Sequence, residues 1–212
     1  MTARGRRVVL WRHGQTSWNV ENRFQGHTDI PLTDEGAAQA RRAAARLATL
    51  RPSAIVASDL SRARSTAAAL ADFTGLDVAV DARLRERSGG AWEGLTQDEI
   101  RAKFPEAWAA WQPTDGEDEV EVGRRVADAV LDAVAVLGAG ELLVVSSHGA
   151  AIRYGIGSLL GLDPGQWRRL GPLSNCAWSV LDETPAGWQP EGWRLLEHNA
   201  GSLPEPALSD DR

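Results

Sequence analysis

The apolar positions of the chain fall into short unbroken runs separated by longer amphipathic stretches. Residues 7–11 (RVVLW), 54–58 (AIVAS) and 141–147 (ELLVVSS) are apolar on both faces, the mark of strands buried between two layers. Residues 77–81 (DVAVD) read as a third, shorter strand in chain order. Helices are expected between them. One runs from the cap Thr33, with Asp34 and Glu35 in its first turn, to about residue 50 ahead of Pro52. A second spans about 60–74 and closes at Gly75, a third about 119–137, and a fourth 150–160 before Gly161. Residues 175–182 and 192–198 read as strands of a hairpin or a sheet edge, and 15–32 as loop.

Strand, helix, strand, helix, strand is the order of an α/β fold. A three-layer α/β/α sandwich with a mainly parallel central sheet is therefore expected. Residues 83–123 interrupt the rhythm with Gly89-Gly90, a capping box at Thr96 and Glu99, Pro105, Pro113 and an acidic run at 115–121. This segment is expected to be a lid-like excursion of a single domain over 1–200, with a disordered tail at 201–212. The acidic run is read as a solvated loop, and Arg124-Arg125 as part of a solvated helix face.

Composition narrows the chemistry. The net charge of −6 disfavours nucleic acid as a partner. Twenty-two of the 23 basic residues are arginine, with Lys103 the only lysine, which removes mechanisms built on a P-loop or Schiff-base lysine. Arginine suits bidentate capture of phosphate. The single cysteine, Cys176, is read as a small buried hydrophobe, and rules out a disulfide framework. No apolar run reaches membrane-spanning length, the basic start at 2–7 lacks a signal-peptide core, and a cytoplasmic location is expected.

Two strands end in histidine followed by glycine, His13-Gly14 and His148-Gly149, and a third runs into Leu60-Ser61-Arg62. Ligands of parallel α/β sheets bind outside the carboxyl ends of the strands, so these residues should share one rim. Arg12 and Arg62 would offer two forked cations to a phosphoryl group. The helix after Gly149 would add its positive amino end. The cations would keep His13 neutral and nucleophilic, and Glu86 would move a proton to and from oxygen.

The stretch Leu10-Trp11-Arg12-His13-Gly14-Gln15-Thr16, with Asn19, Arg23-Phe24-Gln25-Gly26 and Gly36, resembles the first motif of the histidine phosphatase superfamily, also called phosphoglycerate mutase-like. Ser58-Asp59-Leu60-Ser61-Arg62-Ala63, Leu84-Arg85-Glu86 and Ser147-His148-Gly149 resemble its other three. The resemblance implies that His13 forms a phosphohistidine and that Arg12, Arg62 and His148 clamp the phosphoryl oxygens. It implies that Asn19, Gln25, Gly26 and Gly149 contact the substrate and that Glu86 is acid, then base. No metal and no cofactor is implied.

Mutases of the family carry a tyrosine, a lysine and an Arg-Arg pair beyond the acid. Here Glu86-Arg87-Ser88-Gly89-Gly90-Ala91-Trp92-Glu93-Gly94 resembles the phosphatase branch instead. The implied activity is hydrolysis of a small phosphate ester. Looser likeness along 84–96, 175–178 and 193–195 implies a substrate such as glucosyl-3-phosphoglycerate. A phosphoglycerate mutase, a broad-specificity phosphatase and a binding protein with vestigial chemistry are the alternatives. A homodimer is one possible assembly. Trp92, Trp108 and Trp111 are read as lid packing or a stacking face for a sugar, and His27 as a surface residue at the mouth.

Overall fold

The computed structural model describes residues 5–184, 187 and 191–201. Among these described residues six strands form one sheet: β1 (Arg7–Arg12), β2 (Ala54–Ala57), β3 (Val78–Val80), β4 (Leu142–Ser147), β5 (Trp178–Glu183) and β6 (Trp193–Ala200). Their spatial order is β3-β2-β4-β1-β5-β6. The first four are parallel; β5 is antiparallel to β1, and β6 to β5. Among the described residues the α-helices are α1 (Ser17–Val20), α2 (Asp34–Ala48), α3 (Ser61–Thr74), α4 (Gln97–Lys103), α5 (Pro105–Ala110), α6 (Glu119–Ala135) and α7 (Gly149–Leu159).

Alternation along the central strands makes the three layers. Val8 and Leu10 of β1, with Leu143 and Val145 of β4, face Val122, Val126 and Val130 of α6 and Ile152 and Ile156 of α7. Val9, Trp11, Leu142 and Val144 point the other way, onto Ala40, Ala43, Ala44 and Leu47 of α2 and Ala67 and Leu70 of α3. Both faces of β1 and β4 are thus covered, so their sequence is apolar without a break. Alanine predominates on the buried face of α2, which lets helix and sheet approach closely. The excursion carries an apolar cluster of its own, in which Phe24, Trp92, Ile100 and Trp111 pack together.

The expected helices form at their expected caps. Thr33 Oγ1 accepts from Gly36 N, and Thr96 and Glu99 make the full capping box of α4. Two expectations fail locally. The 15–32 loop contains the single-turn helix α1, capped by Thr16 and Asn19. Residues 175–177 are a turn rather than the start of β5, and Cys176 is buried there with φ +56°. The tail expected to be disordered lies, apart from Gly201, outside the described residues. Among the described residues no helix is long and apolar enough to cross a membrane.

Candidate active site

Strand register brings the two histidines together. Arg12 pairs with Ser147, and Ala57 with Ser146. The residues that follow, His13, His148 and Ser58, leave the sheet side by side at its carboxyl rim. His13 N donates to Ser147 O at 3.0 Å and Ser58 N to Ser146 O at 2.9 Å. The two imidazole centroids are 5.2 Å apart, and both rings are buried.

Hydrogen bonds fix the state of each ring. His13 Nδ1 lies 2.7 Å from Gly14 O. A carbonyl only accepts, so Nδ1 carries the proton and Nε2 keeps its lone pair. Burial first, then the charges of Arg62 and Arg12, hold the His13 pKa well below the usual histidine value of 6.5. The ring is neutral at neutral pH, with its lone pair on Nε2. His148 is held down in the same way, by burial and then Arg62. Its Nδ1 accepts from Arg62 Nε at 3.2 Å, which leaves Nε2–H to donate to Ser58 Oγ at 2.9 Å.

Arg62, at the start of α3, is wholly buried. Its Nη1 and Nη2 donate to Thr28 O and Gly26 O, both at 2.8 Å, so the 26–28 loop sets its orientation. Asp59 is bound by Arg85. The loop in turn wraps the Glu93 carboxylate, which accepts from His27 N, Thr28 N and Thr28 Oγ1. Gly26 has φ +51°, and a Cβ there would strike that carboxylate. Arg12 donates to Leu173 O and lies across Gly149, where a Cβ would come within 3.4 Å of its Nε. Gly14 and Gly36 meet backbone to backbone, so a Cβ on either would collide with the other's segment. Gly14 N also donates to Thr66 Oγ1 at 3.1 Å, tying the loop after His13 to α3.

Asn19 and Gln25 are buried beside this loop. Asn19 Oδ1 accepts from Thr16 N, Thr16 Oγ1 and Asn175 Nδ2. That fixes its amide with Nδ2 as the remaining donor, buried and without a protein partner among the described residues. Gln25 Oε1 lies 3.0 Å from Thr16 Oγ1 and shares its one hydroxyl proton with Asn19 Oδ1.

Glu86 enters the same rim and revises the expected use of α7. Its carboxylate accepts from Ala151 N at 2.9 Å, Ala150 N at 3.2 Å and Arg87 N at 2.8 Å. Two of the amino-end N–H groups of α7 therefore hold the Glu86 carboxylate rather than standing open to phosphate, and Gly149 N is what remains at that end. Every site residue expected from the sequence lies at this one rim or in the loops against it: Arg12, His13, Asn19, Gln25, Gly26, Arg62, Glu86, His148 and Gly149.

Other expectations need correction. Arg125 is not on a solvated face: its guanidinium turns inward to Arg83 O, Arg85 O, Glu86 O and Glu117. Arg124 does face solvent, 3.6 Å from Asp128. The acidic run is not a free loop. Glu117 accepts from Ser88 N and Arg125, Asp115 from Ala91 N, Asp118 caps α6, and Glu119 accepts from Tyr154 Oη. Against the opposing effect of burial, hydrogen bonds from His27, then Arg125 and the Ser88 N–H, hold the half-buried Glu117 carboxyl down to about 2. His27 is only partly exposed, with Nε2 2.9 Å from Glu86 O and 3.5 Å from Glu117 Oε2. Trp111 packs edge to face on both Trp92 and Trp108, which are tilted against each other, so the three rings pack together within 83–123. Sequence reading placed Ser58, Thr66 and Asn175 in matching stretches but gave them no role of their own. Asn175 Nδ2 donates to both His13 O and Asn19 Oδ1, at 3.2 Å each.

Among the described residues no group of three or more His, Cys, Asp or Glu is placed to hold a metal ion. The rim instead offers two guanidinium groups, a neutral imidazole nucleophile, amide donors and one carboxylate. That is a set for an in-line transfer of a phosphoryl group to nitrogen.

Comparison with known proteins agrees with the geometry. The model of the histidine phosphatase superfamily (branch 1) matches residues 8–196. The glucosyl-3-phosphoglycerate phosphatase of Mycolicibacterium vanbaalenii is 39% identical over 94% of this chain and 96% of its own. A probable phosphoglycerate mutase of an Enterobacter species is 37% identical over 96% of this chain and 97% of its own. The solved mycobacterial glucosyl-3-phosphoglycerate phosphatase in complex with VO3 superposes with a TM-score of 0.86 at 40% identity. It covers 92% of this chain and 100% of that one.

Proposed function

The chain belongs to the histidine phosphatase superfamily, and from that premise we propose that it hydrolyses a small phosphate monoester through a phosphohistidine on His13. The observation that carries this reading is the state of His13: buried, neutral, its Nδ1–H committed to Gly14 O, its Nε2 lone pair left for phosphorus.

In the first half-reaction His13 Nε2 attacks phosphorus in line. The N–P bond forms as the P–O bond to the alcohol breaks, and Glu86 gives the departing oxygen its proton. In the second, water attacks the phosphohistidine, Glu86 takes a proton from it, the N–P bond breaks and phosphate leaves. His13 returns as the neutral Nδ1–H imidazole. Arg12 and Arg62 take the charge on the phosphoryl oxygens that a metal ion would otherwise take. Asn19 Nδ2, Gly149 N and the Gln25-Gly26 turn supply further donors, and His148 joins them when its Nε2–H turns from Ser58 Oγ to a phosphoryl oxygen. A His13 that stays neutral below the usual range suits acid-type phosphatase work.

The substrate we assign is glucosyl-3-phosphoglycerate, on the strength of the mycobacterial relatives, which match nearly the whole chain. The inward set of Arg125 and the solvent-facing Arg124 remove that pair as a grip for a phosphoglycerate carboxylate, which favours hydrolysis over mutase activity. We take 1–200 as one catalytic domain, with 83–123 as its cover, working in the cytoplasm on small molecules rather than nucleic acid. A homodimer through the outer edge of β3, where Val80 is 53% exposed, completes the proposal; sedimentation would show it.

The test is a panel of esters. Phosphate release from glucosyl-3-phosphoglycerate should exceed that from sugar phosphates, 3-phosphoglycerate and nucleotides by at least about tenfold in kcat/KM. Comparable rates on all of them would point to a broad-specificity enzyme. Conversion of 3- to 2-phosphoglycerate faster than phosphate release would overturn the hydrolase reading.

A further inference from the structure

Residues 83–86 deliver Glu86 to the site, yet they lie between elements: one 3-10 turn, Ala82–Leu84, and then extended chain. Such a segment has no ladder or helix to fix it. Its carbonyl groups find partners one by one. Leu84 O accepts from Ser147 Oγ at 2.7 Å. Arg83 O and Arg85 O accept from Arg125 Nη1 at 2.6 and 2.7 Å, and Glu86 O from Arg125 Nη2 at 2.9 Å. One guanidinium therefore binds three of the four carbonyls leading to the acid.

The same guanidinium is held from its other side. Arg125 Nε and Nη2 donate to the two oxygens of Glu117 at 2.9 and 2.8 Å. Glu117 also accepts from Ser88 N, two residues past the acid, at 2.9 Å. His27 closes the figure, with Nε2 against Glu86 O and Glu117 Oε2. Its neighbours Gly26 and Thr28 present the carbonyls that aim Arg62. The acid's backbone and the phosphate clamp are thus fastened to a single ion pair.

We propose that Arg125 is a positioning residue for Glu86, which fixes the acid's backbone from α6 and, through Glu117 and His27, sets its distance from the Arg62 clamp. It acts without touching substrate. Only a planar fork with five N–H groups spans three carbonyls and a carboxylate at once; a lysine ammonium reaches fewer of them. The carboxylate of Glu86 is tethered separately, to α7, so loosening the backbone would shift rather than free it. A shift of about 1 Å is enough to cost about 10²-fold in a step that needs the proton.

The inference rests on the reading of Glu86 as general acid, and the test separates the two. kcat/KM would be measured for 4-nitrophenyl phosphate, whose leaving group needs little protonation, and for glycerol 3-phosphate, whose leaving group needs it. The proteins are wild type, Glu86→Gln, Arg125→Lys and the double variant. Arg125→Lys should lower the alkyl ester at least about 30-fold and the aryl ester by no more than about 3-fold. In the Glu86→Gln background it should add less than about 3-fold on either ester. Equal losses on both esters, or full additivity with Glu86→Gln, would overturn the proposal. Glu86→Gln losing both esters equally would instead overturn the acid reading beneath it. If thermal melts show that Arg125→Lys does not fold, Glu117→Gln serves, since it weakens the grip on Arg125 and leaves the carbonyl bonds. An ester-selective loss then supports the proposal, and an ester-independent one overturns it.

Discussion

Two buried histidines that stay neutral make stability depend on pH in a window that few other groups share. His13 and His148 are both held well below 6.5, first by burial and then by arginine charge. In the unfolded chain each takes up a proton near 6.5. Below that pH the unfolded state binds two protons that the folded state refuses, so unfolding becomes easier as pH falls. The slope is about 1.4 kcal/mol per pH unit per histidine, hence about 3 kcal/mol lost at pH 5.5 relative to pH 8. Against a domain stability of about 5–15 kcal/mol this is a large share. The shifted carboxylates act lower down. Glu117, held to about 2, loses its contribution only as pH falls from its ordinary range near 4.5 towards 2, and Asp59 only below 3.8. Urea unfolding at pH 8, 6.5 and 5.5, without phosphate, reads the effect directly. His148→Gln should roughly halve the loss between pH 8 and 5.5. A stability that changes by less than about 1 kcal/mol across that range would refute the claim that both rings are buried and neutral.

Two further outcomes follow from the packing of the site. Gly14→Ala drives a Cβ into the carbonyl of Gly36, with backbone on both sides and nothing flexible to yield; a loss of about 1–3 kcal/mol in denaturant unfolding is expected, and an unchanged midpoint would contradict the close approach. Arg62→Lys keeps the charge but cannot reach Gly26 O, Thr28 O and His148 together; kcat should fall about 10²-fold or more in a steady-state assay, and near-wild-type turnover would show that the fork is not what the reaction uses.

The layers were legible because β1 and β4 are covered on both faces and so carry unbroken apolar runs. The helix starts were legible because Thr33 and Thr96 cap through local bonds. His13, Arg62, Glu86 and His148 were legible as motif positions at strand ends. What escaped reading depends on partners distant in sequence. Arg124 and Arg125 look alike in a helical pattern, and only the carbonyls of 83–86, about 40 residues away, separate the exposed one from the buried one. Glu117 looks like part of a solvated acidic run until Arg125 and Ser88 N are seen on it. Asn175 precedes a run of strand-forming residues, but the turn at Cys176 is set by hydrogen bonds to the His13 loop. The amino end of α7 was expected to meet phosphate because any free helix start can; Glu86 occupies most of it.

The central claim is that phosphorus is bonded, during turnover, to His13 Nε2. Mixing the enzyme with a ³²P-labelled phosphate ester and quenching in alkali within the first turnover tests it most directly, because phosphohistidine survives alkali and phosphoserine does not. An alkali-stable, acid-labile label on the peptide containing His13, absent from His13→Ala, is the predicted result. A catalytically active enzyme that yields no such label, or a label that persists in His13→Ala, would contradict the account.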